Sequence, residues 1–278
     1  PYSVNEEMLK EVEEKSKKLA LGLNVKGLLN IQFAIKDEEL FILEANPRAS
    51  RTMPFVAKVT GNQIIKAGTL LMLGYSIDEV RNKTKYLSSS SNKVAIKKAI
   101  FPWSRFPAED TMLGPEMKAT GEVLGVGKEF GTALNKAYAA AGVEINNKEK
   151  GIFVTLSDSE KPNFIKTVNK YLELGFTLYS TEGTGKFLKT NGIDSVIVGK
   201  ADDLGQTSLT IIEDKLVSLV INTPTYANEL SDGWKIRRLS HETGVAVVSS
   251  VREADAFIEA FLNQNLVLDD LEVIQDVS

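Results

Sequence analysis

The chain of 278 residues contains no cysteine and a single histidine, His241. Without thiols there is no disulfide framework and no thiolate metal site, which suits a reducing cytoplasm. One imidazole rules out multi-histidine metal centres and leaves little room for a Ser-His-Asp triad. No apolar run approaches the ~20 residues of a membrane span, and the polar, acidic start does not read as a signal peptide. A formal charge of −4 gives no general attraction to nucleic acid or anionic membrane. Internal repeats and low-complexity tracts are also lacking. What remains is ordinary for a globular protein, 43% hydrophobic and 25% charged, enough to bury a sizeable core in about two domains.

One stretch carries most of the chemistry. The apolar run Phe41-Ile42-Leu43 ends in Glu44, and Asn46 follows two residues later, on the same face of a strand. Pro47, Arg48 and Arg51 come next. Hard cations prefer oxygen ligands, and polyphosphates want both that cation and guanidinium forks. Leu28–Ile35 reads as a preceding strand, joined to Leu40–Asn46 by the polar turn Lys36-Asp37-Glu38-Glu39. If the two form a hairpin, Gln32 lies near Glu44. Gln32, Glu44 and Asn46 are then candidate Mg²⁺ ligands, with Arg48 and Arg51 beside them for phosphate. The plainer alternative is a strand end followed by solvated arginines.

The remaining pattern predicts the frame. Ser3 and Glu6 suggest a capping box, and Met8, Val12, Leu19 and Leu23 recur at helical spacing. Pro54–Leu73 reads as helix broken at Gly61, Ser88–Asn92 as a turn, and Val94–Trp103 as a strand. Phe106–Gly127 reads as an ordered loop, and Phe130–Ala141 as a helix stopped at Gly142. The polar segment 143–150 is the expected domain boundary. Beyond it the rhythm changes to strands alternating with helices: Ile152–Leu156, Glu160–Leu174, Phe176–Ser180, Lys186–Thr190, Ser195–Gly199, Leu216–Asn222, Trp234–Thr243, Val245–Ser249 and Ala254–Asn263. That pattern predicts βα units and a parallel sheet. Thr155, Ser180-Thr181-Glu182-Gly183-Thr184-Gly185 and Asn222-Thr223 fall at strand ends. The carboxyl ends of parallel strands share one rim, where ligands bind, so a phosphate pocket is expected there.

Several of these residues are familiar. Gln32, Glu44-Ala45-Asn46-Pro47-Arg48 and Arg51 resemble the end of an ATP-grasp domain. Phe55-Val56-Ala57-Lys58-Val59-Thr60-Gly61 and Leu113-Gly114-Pro115-Glu116-Met117-Lys118-Ala119-Thr120-Gly121-Glu122-Val123 resemble the large subunit of carbamoyl-phosphate synthetase, the second string very specifically. The last ~125 residues resemble the methylglyoxal-synthase-like regulatory domain that ends that subunit.

The resemblance implies α/β and α+β architecture in three parts. Residues 1–142 would be the C-terminal part of the second ATP-grasp unit, 143–150 a linker, and 151–278 a doubly wound, Rossmann-like regulatory domain. It further implies an ATP-dependent ligase that phosphorylates carbamate. Gln32, Glu44 and Asn46 would hold Mg²⁺ or Mn²⁺, Glu44 and Asn46 would touch the nucleotide, and Arg48 and Arg51 would serve phosphoryl transfer. K⁺ is a further candidate ion. The implied partners are the rest of the large subunit, a glutaminase subunit or fused glutaminase domain, and a nucleotide effector such as UMP. No nucleic-acid or membrane partner is implied, the cytoplasm is the implied location, and an oligomeric parent stays open.

Thr155, Lys161, Thr181, Thr184, Lys200, Asn222 and Thr223 match the family's effector positions. Pro224 and Ala227-Asn228 depart from the polar, basic loop of relatives that bind uridylate. Lys98 stands where ornithine-responsive relatives carry glutamate, so no ornithine response is expected. Relatives with synthase chemistry carry Thr-His-Gly-Thr where this chain has Thr181-Glu182-Gly183-Thr184, so no methylglyoxal synthase activity is expected, and His241 reads as a surface helix residue. The fragment alone should be inactive. Two other readings are an autonomous anion-binding regulatory module and another ATP-grasp ligase. The pathway served, arginine or pyrimidine synthesis, is not legible.

Overall fold

A computed structural model describes residues 4–85, 93–101, 103, 111–112, 117, 121–143, 145, 151–223 and 231–263. The chain divides into two compact units, with the break at 92/93.

The first unit opens with helix α1 (Glu6–Gly22). Its start is capped by Asn5, whose Oδ1 accepts from the Met8 amide at 2.8 Å. The expected Ser3 cap lies outside the described residues. Strands β1 (Asn30–Lys36) and β2 (Glu39–Asn46) then pair antiparallel around the expected polar turn. Asp37 and Glu38 both take positive φ there, closing the hairpin tightly. Helices α2 (Thr52–Thr60) and α3 (Ile64–Met72) follow, separated at Gly61 as expected. Helix α4 (Ile77–Lys83), not foreseen, is fixed by a full capping box between Ser76 and Glu79. This unit has little interior of its own: among its described residues the buried apolar side chains are Met8, Leu40 and Val80. Phe41, Ile42 and Leu43 are exposed.

The second unit begins with an antiparallel pair, β3 (Val94–Ile100) and β4 (Gly121–Gly127), covered by helix α5 (Phe130–Ala140). Strand β4 corrects the reading of 106–127 as loop throughout. The stretch Leu113–Pro115 and the expected turn at 88–92 lie outside the described residues, as does most of the 143–150 boundary.

A five-stranded parallel sheet follows: β5 (Gly151–Thr155), β6 (Leu178–Ser180), β7 (Val196–Ile197), β8 (Val217–Asn222) and β9 (Ala246–Val248). Its spatial order is β7-β6-β5-β8-β9, which confirms the expected doubly wound α/β arrangement. Alternation along the strands separates two cores. Ile152, Val154, Leu219 and Ile221 join one core with residues of α5, α6 (Lys161–Glu173), α7 (Glu182–Thr190) and α10 (Val251–Leu262). Phe153 and Val220 face the other, with residues of α8 (Thr210–Glu213) and α9 (Asp232–Thr243).

Helix α5 is stitched to α10. Tyr138 meets Phe257 edge-on at 4.8 Å, and buried Asn135 donates from Nδ2 to the Ala260 and Asn263 carbonyls at 2.7 and 2.9 Å. A Cβ on Gly131 would lie 2.1 Å from the Glu259 carbonyl oxygen, so only glycine permits this approach. Among the described residues, no helix is long and apolar enough to cross a membrane.

Candidate functional site

The β1–β2 register sets Gln32 opposite Glu44 and Asn30 opposite Asn46. Directly paired residues share a face, and so do residues two apart. Four oxygen-bearing side chains therefore occupy one face of one hairpin. Asn30 was missed from sequence, although its position two before Gln32 was the signal. The register slips just beyond, between Gln32 and Phe33, so Leu43 is extra on β2. Such bulges re-aim strands beside sites. Gln32 and Glu44 are exposed, while Asn30 and Asn46 are half-buried.

The chain then turns sharply. The Arg48 amide donates to the Asn46 carbonyl at 2.8 Å, and Arg48 Nη1 donates to the Ala49 carbonyl at 3.1 Å. Arg51 is exposed at the start of α2. Between the two arginines, Ser50 Oγ is buried with no hydrogen-bond partner among the described residues. The donor set fits a hard cation, since carboxylate and amide oxygens are what such ions take. Among the described residues no group of three His, Cys, Asp or Glu side chains could hold a metal, so amides would have to contribute.

The second unit holds a distinct cavity of about 600 Å³ at the carboxyl rim of its sheet. The strand order reverses between β5 and β8, where Thr155 pairs with Asn222. Of the seven expected effector residues, Thr155, Thr181 and Lys200 line the cavity. Thr184 stands behind them, buried, and accepts from the Leu156 amide at 3.1 Å. Thr181 Oγ1 lies 3.3 Å from Thr184 Oγ1 and 3.4 Å from Thr155 Oγ1, within reach to donate to either. Thr181 holds the N-cap position of α7 without capping it through its side chain.

Asn222 and Thr223 are buried in the scaffold of the rim. Asn222 Oδ1 accepts from Arg237 Nη1 at 2.8 Å, and Thr223 Oγ1 accepts from the Ser157 amide at 2.8 Å. Lys161 is not brought to the cavity; its Nζ is 2.6 Å from Asp158 Oδ1. Glu182 also lines the cavity, its carboxyl held below the usual range by its hydrogen bond and charge contact with Lys186. Asp203 lines it too, accepting from the Lys200 amide at 2.7 Å. Sequence reading also missed Ser208 and Asp232 in the lining, and the buried Arg237 behind it.

His241 lies elsewhere, its ring 5.9 Å from that of Trp103. The inner side of the imidazole is packed against protein, and Lys98, Arg238 and Arg237 lie near; together these push its pKa down to about 4. Lys98 Nζ sits 4.0 Å above the Tyr138 ring. Burial lowers its ammonium pKa, opposed by Glu253.

Fold and geometry thus describe an α/β protein with an oxygen-rich hairpin face in one unit and a doubly wound sheet with a rim cavity in the other. Comparison with known proteins agrees: residues 2–80 match the family described as carbamoyl-phosphate synthase L chain, ATP binding domain, and residues 163–249 match the MGS-like domain. The chain is similar to carbamoyl phosphate synthase large chains, among them two relatives whose names give the C-terminal section. It is 39% identical over 274 residues to the "Carbamoyl phosphate synthase large chain, C-terminal section" of Aquifex aeolicus, covering 94% of this chain and 51% of that one. The like-named protein of Methanocaldococcus jannaschii is 37% identical over 268 residues, 94% of this chain and 43% of the relative. The large chain of Archaeoglobus fulgidus is 38% identical over 282 residues, 100% of this chain and 26% of the relative. The chain thus spans about half or less of these relatives' lengths.

Proposed function

We propose that this chain supplies the metal- and phosphate-binding face for carbamate phosphorylation, together with the effector domain, of an enzyme making carbamoyl phosphate from bicarbonate, glutamine-derived ammonia and ATP. The observation that carries the reading is the hairpin register, which sets Gln32 against Glu44 and Asn30 against Asn46 immediately before Arg48 and Arg51.

Gln32, Glu44 and Asn46 would hold Mg²⁺ or Mn²⁺, with Asn30 supporting the inner pair. The ion would neutralise charge on the ATP phosphates. Arg48 and Arg51 would steady the transferring phosphoryl group and the carbamate, since phosphoryl transfer needs mainly positioning and charge stabilisation. Buried Ser50 Oγ supports an oxyanion seat between them. The apolar exposure of Phe41, Ile42 and Leu43 supports completion of this unit by other parts of a large chain. The isolated chain should therefore be catalytically silent.

We take 1–142 as the ATP-grasp part, 143–150 as linker and 151–278 as the effector domain, to which β3, β4 and α5 are also packed. The cavity at Thr155, Thr181 and Lys200 would take a phosphorylated small molecule such as a nucleotide. A glutaminase subunit or fused domain is the proposed ammonia source, and the cytoplasm the proposed setting. We expect neither an ornithine response nor methylglyoxal synthase activity.

The test is Glu44→Gln in the complete large chain. Carbamoyl-phosphate formation should fall by at least about a hundredfold, since one preorganised charged group in phosphoryl transfer is worth that much or more. Bicarbonate-dependent ATP hydrolysis at the other ATP-grasp unit should persist. Undiminished synthesis would refute the assignment.

A further inference from the structure

Strand β3 carries a lysine without a counter-ion. Strand side chains alternate, so the neighbours Lys97 and Lys98 leave β3 on opposite faces. Lys97 Nζ lies 3.4 Å from Glu122 Oε2 on β4. Lys98 Nζ instead sits 4.0 Å above the Tyr138 ring, and among the described residues it makes no hydrogen bond and no ion pair.

Three helices present groups to this ammonium. Tyr138 comes from α5, Glu253 from α10, and His241 from α9, itself close to Arg238 and Arg237. Of these only Glu253 is negative, and it is engaged elsewhere. Its Oε2 accepts from the Ser249 amide at 3.1 Å and lies 3.4 Å from the Ser249 and Ser250 hydroxyls, within the cap of α10. The ring face attracts a cation but does not replace a carboxylate as acceptor.

Lys98 is half-buried, so its ammonium is short of water as well as of oxygen partners. Burial lowers its pKa, and the charge of Glu253 opposes that only in part. More of the side chain is then free amine, the nucleophilic form. The nitrogen stays within reach of solvent. Among the described residues, the side-chain atoms enclosed without a partner are Ser50 Oγ, Asn135 Oδ1, Ser208 Oγ and Trp234 Nε1, and Lys98 Nζ is not one of them. The surroundings are aromatic: Phe101 stacks on Trp103 at 5.0 Å, and Trp103 meets His241. Such a site admits a small neutral molecule more readily than an ion.

We propose that Lys98 is a modification site, whose amine adds to a small neutral electrophile of the isocyanic acid class and becomes a carbamoyl-lysine. The Nζ lone pair forms the new bond to carbon, the C=N π pair moves onto the reagent nitrogen, and the proton lost by Nζ ends there. Nothing leaves, and nothing is oxidised or reduced. The product is a neutral urea over the Tyr138 ring. One of the positive charges that hold the His241 pKa down is thereby removed. Only the supply of reagent rests on the function proposed above, since carbamoyl phosphate in water eliminates phosphate to give cyanate; the selectivity of Lys98 does not.

The test is brief treatment of the folded chain with potassium cyanate at neutral pH, with each lysine read by peptide mass spectrometry. Lys98 should react at least about threefold faster than Lys97, the excess expected of a severalfold larger free-amine fraction. The difference should vanish in guanidinium chloride, where both amines are solvated. The single histidine gives a second readout. In the modified chain, and in Lys98→Gln with an intact melting transition, the His241 ring protons should titrate at higher pH than in wild type. Lys98 reacting no faster than Lys97 in the folded chain would overturn the proposal. An advantage that persists in guanidinium chloride would overturn it too, marking local sequence and not the fold. A His241 titration unmoved in both would overturn the consequence drawn for the imidazole. None of these outcomes bears on whether the chain serves carbamate phosphorylation, which the Glu44→Gln test decides separately.

Discussion

Thr184→Val tests whether the rim is held by its hydroxyls. Thr184 is 2% exposed, and its Oγ1 accepts the Leu156 amide at 3.1 Å. Valine keeps the β-branch but removes the acceptor, leaving a buried N–H with nothing in its place. Such an orphaned donor costs about 1–3 kcal/mol. A unit of this size loses about 2–4 °C of melting temperature per kcal/mol, so a central cost of about 2 kcal/mol lowers it by roughly 4–8 °C. Thr184→Ser is the control: it keeps the acceptor and loses one methyl, about 1 kcal/mol or less. Differential scanning calorimetry of the three proteins reads the order directly. Wild type should melt highest and Thr184→Val lowest. A valine variant melting at or above the serine variant would show that the hydroxyl is dispensable and that the strand ends are held by apolar packing alone.

Three further expectations follow from the geometry. His241 is held at a pKa of about 4 against an ordinary 6.5, so the unfolded chain takes up a proton that the folded one refuses as pH falls between those values. Stability present above pH 6.5 is therefore lost toward pH 4; because the ring keeps solvent access, the loss is held to about 1 kcal/mol. His241→Gln should flatten that part of the pH profile in urea titrations, and identical profiles would refute it. Hydrogen exchange should show the amides of α1 to α4 opening at lower free energy than those of β5 and β8, because the first unit buries so few apolar side chains; equal protection would contradict this. Gly131→Ala forces a Cβ onto the Glu259 carbonyl and should cost about 1–3 kcal/mol, and a neutral calorimetric result would show that α5 can slide on α10.

The elements read correctly were those with a strict period and clear punctuation. Leu28–Asn46 shows alternation around a short polar turn, and Gln32 did face Glu44. Asn30 was overlooked although the same alternation, taken one step further, reaches it. Strand β4 was hidden by Gly121, Gly125 and Gly127, residues that weaken any strand pattern. Their reason is tertiary: a Cβ on Gly125 would lie 2.1 Å from the Ala133 carbonyl oxygen, so α5 demands the gap. Helix α7 was expected only from Lys186, because Gly183 and Gly185 looked like loop; it begins at Glu182. Three of the seven effector residues met at one cavity because strand ends share a rim, which topology predicts. Ser208 could not be found that way, since nothing in Thr207-Ser208-Leu209 says that the middle hydroxyl is enclosed.

The bond from Asn135 to the Ala260 carbonyl spans 125 residues of chain, and this sets an order of events during synthesis. A ribosome adding 5–20 residues per second needs roughly 6–25 s to cover that distance. Throughout that interval α5 has no α10 to lie against, and the Asn135 amide must bond to water or to whatever holds the nascent chain. The hairpin β3–β4 and its helix are therefore made well before the helix they pack on, with α10 acting as the latch. A ribosome stalled before the codon for Ala260 would leave that seam open.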